Sequence, residues 1–204
     1  IGRADLLRPT DSSHPLAPDL AAILVRAQGR RRHEGYQPIP FSRLSERIVV
    51  DAAEAIKGNG TVELNYPIQN TDRTVGARLS GEIAALHGDA GLAEGTIKIR
   101  LNGTAGQSLG AWLSRGVTID LRGTANDYVA KGMAGGTIAV TPVRAEGIPH
   151  AAGNAVLYGA TGGQVFLAGR VGQRFAVRNS GANAVVEGCS DHGCEYMTGG
   201  VVVV

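Results

Sequence analysis

Residues 188–200, GCSDHGCEYMTGG, bring Cys189, Asp191, His192, Cys194, Glu195 and Tyr196 into thirteen positions. Thiolate, imidazole and carboxylate are the ligands that zinc takes, and they are also the parts of a cysteine nucleophile with its base. A structural zinc site commonly matches one cysteine pair with a second pair, and the chain holds only two cysteines. A Cys–His nucleophile needs a third group to orient the imidazole and donors for the oxyanion, which adjacent spacing does not supply. A Cys189–Cys194 disulfide is sterically conceivable but suits an oxidising compartment. Cys189, His192 and Cys194 stand as the candidate metal ligands, and the reading gives preference to a structural segment with no catalytic, cofactor-binding or metal residue.

Two further groups carry reactive side chains. In TANDYVAKG, Asp127, Tyr128 and Lys131 could exchange protons, but Asn126 and Asp127 are better explained as turn formers that bond nearby backbone amides. Arg170, Arg174 and Arg178 recur every fourth residue. In an extended chain they need not share a face, so a salt bridge or an interdomain contact is the expectation, rather than an anion site. GNG at 58–60 has no third glycine and no surrounding βαβ unit, so it is not a dinucleotide fingerprint.

The elements that must position these residues are legible from the glycines. Of 30 glycines only Gly2, Gly29 and Gly35 precede Gly58. Residues 1–40 hold HPLAP and YQPIP and read as an irregular arm, with a possible short helix at Asp19–Gln28. Residues 41–95 read as a helical lead-in and cap. One helix is expected over 42–57, with Ser42 as N-cap, Leu44, Ile48, Ala52, Ala55 and Ile56 on one face and Gly58 after it. A short strand follows at 61–66. A second helix is expected over 71–87, capped by Asn70 or Thr71, with Val75, Leu79, Ile83 and Leu86 on one face. Gly76 and Gly81 inside it suggest close packing on another backbone.

From residue 96 the period changes. IKIRLNGTAGQSLGAWLSRG (97–116) and VTIDLRGTANDYVAKGMAGG (117–136) align over twenty residues without a gap. Looser copies follow at 154–163, 164–182 and 183–200, and VVVV opens another. Each unit has an apolar run too short for a helix and glycines suited to sharp corners. The repeat glycines are Gly103, Gly116, Gly123, Gly136, Gly159, Gly169, Gly181, Gly188 and Gly200. No unit can bury its own apolar face, but stacked units can pair their runs as parallel strands around a shared aliphatic interior. The expected fold is therefore mainly β, a right-handed parallel β-helix of about five coils over 96–204, incomplete at its C-terminal end.

Composition excludes several classes. The formal charge is +2, and the single basic run, Arg30 to His33, reads as a solvated linker, so no nucleic-acid footprint is visible. No run approaches the roughly 18 apolar residues of a membrane span, and the first thirty residues lack the charged-then-apolar order of a signal peptide. Two cysteines suit a reducing compartment, so the expected location is cytoplasmic. Polysaccharide cleavage on a β-helix groove wants surface aromatics and clustered carboxylates, and there are only three Phe, five Tyr and one Trp.

The segments NTDRTVGARLSGEI, GTAGQSLGAWL, TANDYVAKGMAGG, GNAVLYGATGG, RFAVRNSGANAVVEG and DHGCEYMTGGVVVV resemble the glycine-repeat (GXGXG) C-terminal domain of the glutamate synthase large (alpha) subunit. The resemblance covers residues 1–8 and 41–204, while 9–40 match poorly. It implies the right-handed β-helix and a parent enzyme that takes ammonia from L-glutamine, channels it internally and makes L-glutamate from 2-oxoglutarate. FMN and an iron–sulfur cluster of that enzyme would lie outside this chain, which is expected to bind no cofactor and to have no activity alone. The implied partners are the amidotransferase and synthase domains, on the same or a separate chain, and an oligomer is possible. The chain then reads as a fragment whose last apolar edge is covered by further residues or a partner. The alternative is a stand-alone small subunit of a glutamate-synthase-like or formylmethanofuran-dehydrogenase-like oxidoreductase complex. The arm and the two helices are the candidate contacts with catalytic domains, because a repeat stack must be capped.

Overall fold

A computed structural model describes residues 42–143 and 147–204. The arm and its expected helix at Asp19–Gln28 lie outside the described residues. The helix expected over 42–57 is two pieces, α1 (Arg43–Asp51) and α2 (Ala53–Ile56). Ser42 caps α1, its hydroxyl accepting the Ser45 N–H at 3.1 Å, and Ala52 interrupts the run. β1 (Val62–Ile68) follows. The next helix, α3 (Ala77–His87), begins later than expected because Gly76, with φ +101°, is its N-cap and not an interior residue. Val75, Leu79 and Ile83 are buried, but Leu86 is 61% exposed and leaves the inferred face. A side chain at Gly76 would press on Ile119 and Leu113, whereas one at Gly81 would meet open space. Close packing thus explains the first glycine and not the second.

The remaining strands are β2 (Ile97–Ala105), β3 (Val117–Ala125), β4 (Thr137–Thr141), β5 (Gln164–Val171), β6 (Ser180–Cys189) and β7 (Gly199–Val203). They form one open seven-stranded sheet in the order β1-β2-β3-β4-β5-β6-β7, and every pair is parallel. This corrects the expectation of a right-handed β-helix of about five coils. Each repeat supplies one strand to a single sheet, and the rest of the repeat is turns, so the result is an α/β-like arrangement with few helices. The apolar run occurs once per repeat, which is why only one strand forms in each. The sheet also starts at β1, within the segment read as helical lead-in.

The twenty-residue register itself is met residue for residue between β2 and β3: Ile97 pairs with Val117, Gly103 with Gly123 and Ala105 with Ala125. Because side chains alternate across a strand, this register stacks like on like. Leu64, Ile99, Ile119, Ile138, Val165, Ala184 and Val202 form one ladder. Tyr66, Leu101, Leu121, Val140, Leu167 and Val186 form the next. Their central members are fully buried, each contributing about 1.5–3 kcal/mol of apolar burial.

α1 and α3 lie at the β1 end. The Arg78 guanidinium bridges them, pairing with Glu82 on its own helix and with Glu46 at 3.4 Å. The Tyr66 hydroxyl donates to Asp51 at 2.6 Å and joins α1 to β1. Ser80 accepts the Ser114 N–H at 3.1 Å, which ties α3 to the first long turn.

Candidate functional site

Most of the chemically interesting side chains lie in the turns that precede or follow the strands, with Arg170 in β5 and Cys189 at the end of β6, so the turn geometry largely decides what they can do. In five successive repeats, three alternate residues adopt the left-handed conformation. They are Ser108, Gly110 and Trp112; Tyr128, Ala130 and Gly132; Ala155, Leu157 and Gly159; Arg174, Ala176 and Arg178; and His192, Cys194 and Tyr196, with φ from 53° to 64°. Non-glycine residues in this region cost roughly 1–2 kcal/mol each, and the turns repay this with bonds between repeats. The first residue of the first four triplets donates its N–H to the following repeat: Ser108 to Asp127 at 2.8 Å, Tyr128 to Asn154 at 2.9 Å, Ala155 to Gln173 at 2.8 Å and Arg174 to Asp191 at 3.0 Å. The middle residue donates backward: Ala130 to Leu109 at 2.9 Å, Leu157 to Val129 at 2.7 Å and Cys194 to Phe175 at 2.7 Å. The third donates forward again, Trp112 to Lys131 at 2.8 Å and Arg178 to Glu195 at 2.9 Å.

This pattern places the cysteine segment as the last of five equivalent turns. Cys189 ends β6, and Cys194 is the middle residue of the triplet, where Gly110, Ala130, Leu157 and Ala176 stand in the others. Both thiols are free and half-buried. Burial, and behind it the neighbouring Cys189, push the Cys194 thiol up, opposite to the direction a nucleophile or thiolate ligand requires. His192 Nδ1 lies 2.7 Å from Glu195 Oε1 in an exposed pair. Among the described residues no group of three or more His, Cys, Asp or Glu is placed to hold a metal ion. An iron–sulfur cluster is held by four cysteine thiolates or a close variant, and the two cysteines of this chain do not fit it.

Asp127 is a turn former. Its Oδ1 accepts the Asn154 N–H at 2.7 Å and the Asn154 side-chain amide at 3.3 Å. Asn154 repeats the action one turn on, its Oδ1 accepting the Gln173 N–H at 2.9 Å. Among the described residues no hydrogen bond or ion pair joins Asp127 to Tyr128 or Lys131 in an acid–base group. Lys131 is shared by two rings instead: its ammonium lies 5.4 Å from the Tyr128 ring centre and 5.8 Å from that of Trp112. The three arginines are spread out, Arg170 in β5 and Arg174 and Arg178 at the first and third positions of one turn. None has a carboxylate partner among the described residues, so the expected salt bridge is not formed there.

The repeat glycines differ in what they face. A side chain at Gly103 would run into the Ile68 carbonyl, and one at Gly123 into the Gly103 carbonyl. At Gly116, Gly136, Gly169, Gly181 and Gly200 it would meet Leu92, Val117, Pro149, Thr161 and Ala182 of the preceding repeat or turn, in most cases a backbone oxygen. Gly159 faces open space, and Gly188 meets only the flexible Arg170 side chain at 3.3 Å. A shallow trough of about 510 Å³ runs along one of these corners, past Glu94, Arg115, Thr137, Gln164 and Asn183.

Sequence reasoning missed Asn179. It is fully buried, its side-chain amide donates to the Ala182 carbonyl at 2.9 Å, and its Oδ1 accepts the Ala182 N–H at 2.9 Å and the Gly181 N–H at 3.3 Å. Aligned repeats carry Leu113, Met133 and Ala160 at this place, so one polar residue in an apolar column was the available signal.

Residues 45–204 match the family model described as the GXGXG motif. The chain is 45% identical over 215 residues to the glutamate synthase [NADPH] large chain of Azospirillum brasilense, covering 100% of this chain and 14% of that protein. It is 46% identical over 222 residues to the ferredoxin-dependent glutamate synthase 1, chloroplastic/mitochondrial, of Arabidopsis thaliana, covering 100% of this chain and 13% of that one. With the ferredoxin-dependent glutamate synthase of Pyropia yezoensis it shares 50% over 160 residues, 76% of this chain and 10% of the relative. The chain thus spans a small part of the length of the relatives it matches, and it belongs to the GXGXG domain family of glutamate synthases.

Proposed function

We propose that this chain is a rigid, non-catalytic scaffold within a glutamate synthase, an enzyme that makes L-glutamate from L-glutamine and 2-oxoglutarate by channelling ammonia between two active sites. The observation that carries the reading is the double ladder. Strands on one side and left-handed turns on the other are hydrogen-bonded from repeat to repeat, around a largely aliphatic interior. Such a body deforms little, because shifting one repeat breaks bonds on both sides at once, and channelling needs fixed geometry between distant sites. The names of the relatives supply the enzyme.

On this reading the amidotransferase and synthase domains pack against the scaffold, with α1 and α3 as contacts, and FMN and an iron–sulfur cluster reside in the synthase part. The whole assembly works in the cytoplasm in bacteria. The test is an assay of residues 1–204 for glutaminase and for glutamate formation. The expected result is no turnover of either kind; measurable turnover by this chain alone overturns the proposal.

A further inference from the structure

The cluster of Trp112, Tyr128 and Lys131 is left without a task by the scaffold reading. Trp112 is the chain's one tryptophan and is 56% exposed, and Tyr128 is 41% exposed. Both residues stand in the left-handed turns, and the backbone ladder ties the turn of Trp112 to that of Tyr128 and Lys131, since the Trp112 N–H donates to the Lys131 carbonyl at 2.8 Å. The indole rests on bare backbone. A Cβ at Gly132 would lie 2.8 Å from Trp112 Cδ1 and 2.9 Å from Nε1. The Lys131 ammonium is drawn over both ring faces, which replaces part of its hydration with ring quadrupoles.

No carboxylate pairs with this ammonium among the described residues, and the acid nearest in sequence, Asp127, is engaged with Asn154. The result is a cation with one open side, framed by two exposed aromatic residues on a chain that has few. Exposed Trp and Tyr are residue types of an interface anchor, and the lysine between them adds the charge that a partner must complement. We infer that this cluster is a docking site for a carboxylate-bearing segment from another domain of the enzyme; the inference rests on the reading that this chain is one domain of a larger polypeptide. The Asp or Glu of that segment meets Lys131 while its flanking apolar atoms cover the rings.

The test is zero-length carbodiimide coupling of the full-length enzyme, read by mass spectrometry of its peptides. The Lys131 amine and a carboxylate in contact with it condense to an amide, and the carbodiimide takes up the water as a urea. The expected product joins Lys131 to an Asp or Glu outside residues 1–204. Trp112→Ala should lower its yield by about fivefold, as removal of one wall of the cation site would, and Lys131→Gln should abolish it. Lys131 that stays uncoupled in the wild-type enzyme and is acetylated as readily as Lys57 overturns the inference, as does coupling only to a carboxylate within residues 1–204. Either result would leave the scaffold reading standing as long as the isolated chain shows no turnover.

Discussion

Replacement of Gly123 by alanine tests whether the strand register depends on bare backbone at the corners. Gly123 sits opposite Gly103 in the β2–β3 ladder with φ +142°. An alanine Cβ there collides with the Gly103 carbonyl, whose carbon would be 2.8 Å away. Two costs add: backbone strain of about 1–3 kcal/mol and overpacking of about 1–3 kcal/mol where neither strand can withdraw without breaking its neighbours. A loss of about 3–5 kcal/mol is expected, a drop of about 6–20 °C in Tm for a chain of this size. Gly159→Ala is the control, because Gly159 has φ +63° and nothing within 4 Å of an added Cβ. It should cost only the left-handed penalty of about 1 kcal/mol. Gly81→Ala, in the exposed interior of α3 with open space around it, should stabilise by about 0.5–1 kcal/mol. Chemical denaturation of the three variants reads the order directly. If Gly123→Ala falls within 1 kcal/mol of Gly159→Ala, the steric account of the corner glycines is refuted.

Asn179→Ala should cost about 2–4 kcal/mol by denaturation, because it strands the buried Ala182 N–H and carbonyl that Asn179 now satisfies; a loss under 1 kcal/mol would mean that water replaces it. Burial, and then the Asp51 carboxylate, push the Tyr66 phenol up to about 12, so the native state holds a proton that the unfolded chain, titrating near 10, releases first. The stabilisation from this group is complete below pH 10 and is lost as pH rises from 10 toward 12. Tyr66→Phe should remove that alkaline slope in a pH series of denaturation curves while costing about 1–2 kcal/mol at neutral pH.

Much of the fold was legible because two adjacent repeats align without a gap, and the Ile97–Val117 and Gly103–Gly123 pairs are the observed register. Ser42 capped its helix as its residue type implies. The architecture was over-read: an apolar run that occurs once per repeat predicts one parallel ladder, and the extra strands of a five-coil helix have no runs to make them. Gly76 was misplaced because a glycine inside a helical pattern and a glycine that starts a helix look alike until φ is known. The site was harder still. Asp127 and Asn126 could be read as turn formers from chemistry alone, but Trp112 and Lys131 are nineteen positions apart in adjacent repeats, and their meeting depends on left-handed backbone at Trp112, Tyr128 and Ala130 that those residue types disfavour.

That conformation explains why the repeats cannot be understood singly. A turn such as Arg174, Ala176 and Arg178 places three non-glycine residues in the left-handed region, at roughly 1–2 kcal/mol each, and its inter-repeat hydrogen bonds return about 0.5–1.5 kcal/mol apiece. Bonds and strain therefore come close to cancelling, and an isolated turn gains nothing from the shape. What remains is the burial of the residues between the left-handed positions, Leu109, Val129, Val156 and Phe175, all of them fully buried or nearly so in the stack. Each needs a neighbouring repeat on at least one side to be buried at all. The apolar column thus selects the strained turn, and the turn in turn orients the exposed side chains it carries, the Trp112, Tyr128 and Lys131 cluster included. Loosening the interior should therefore be felt at that surface before any contact residue is changed.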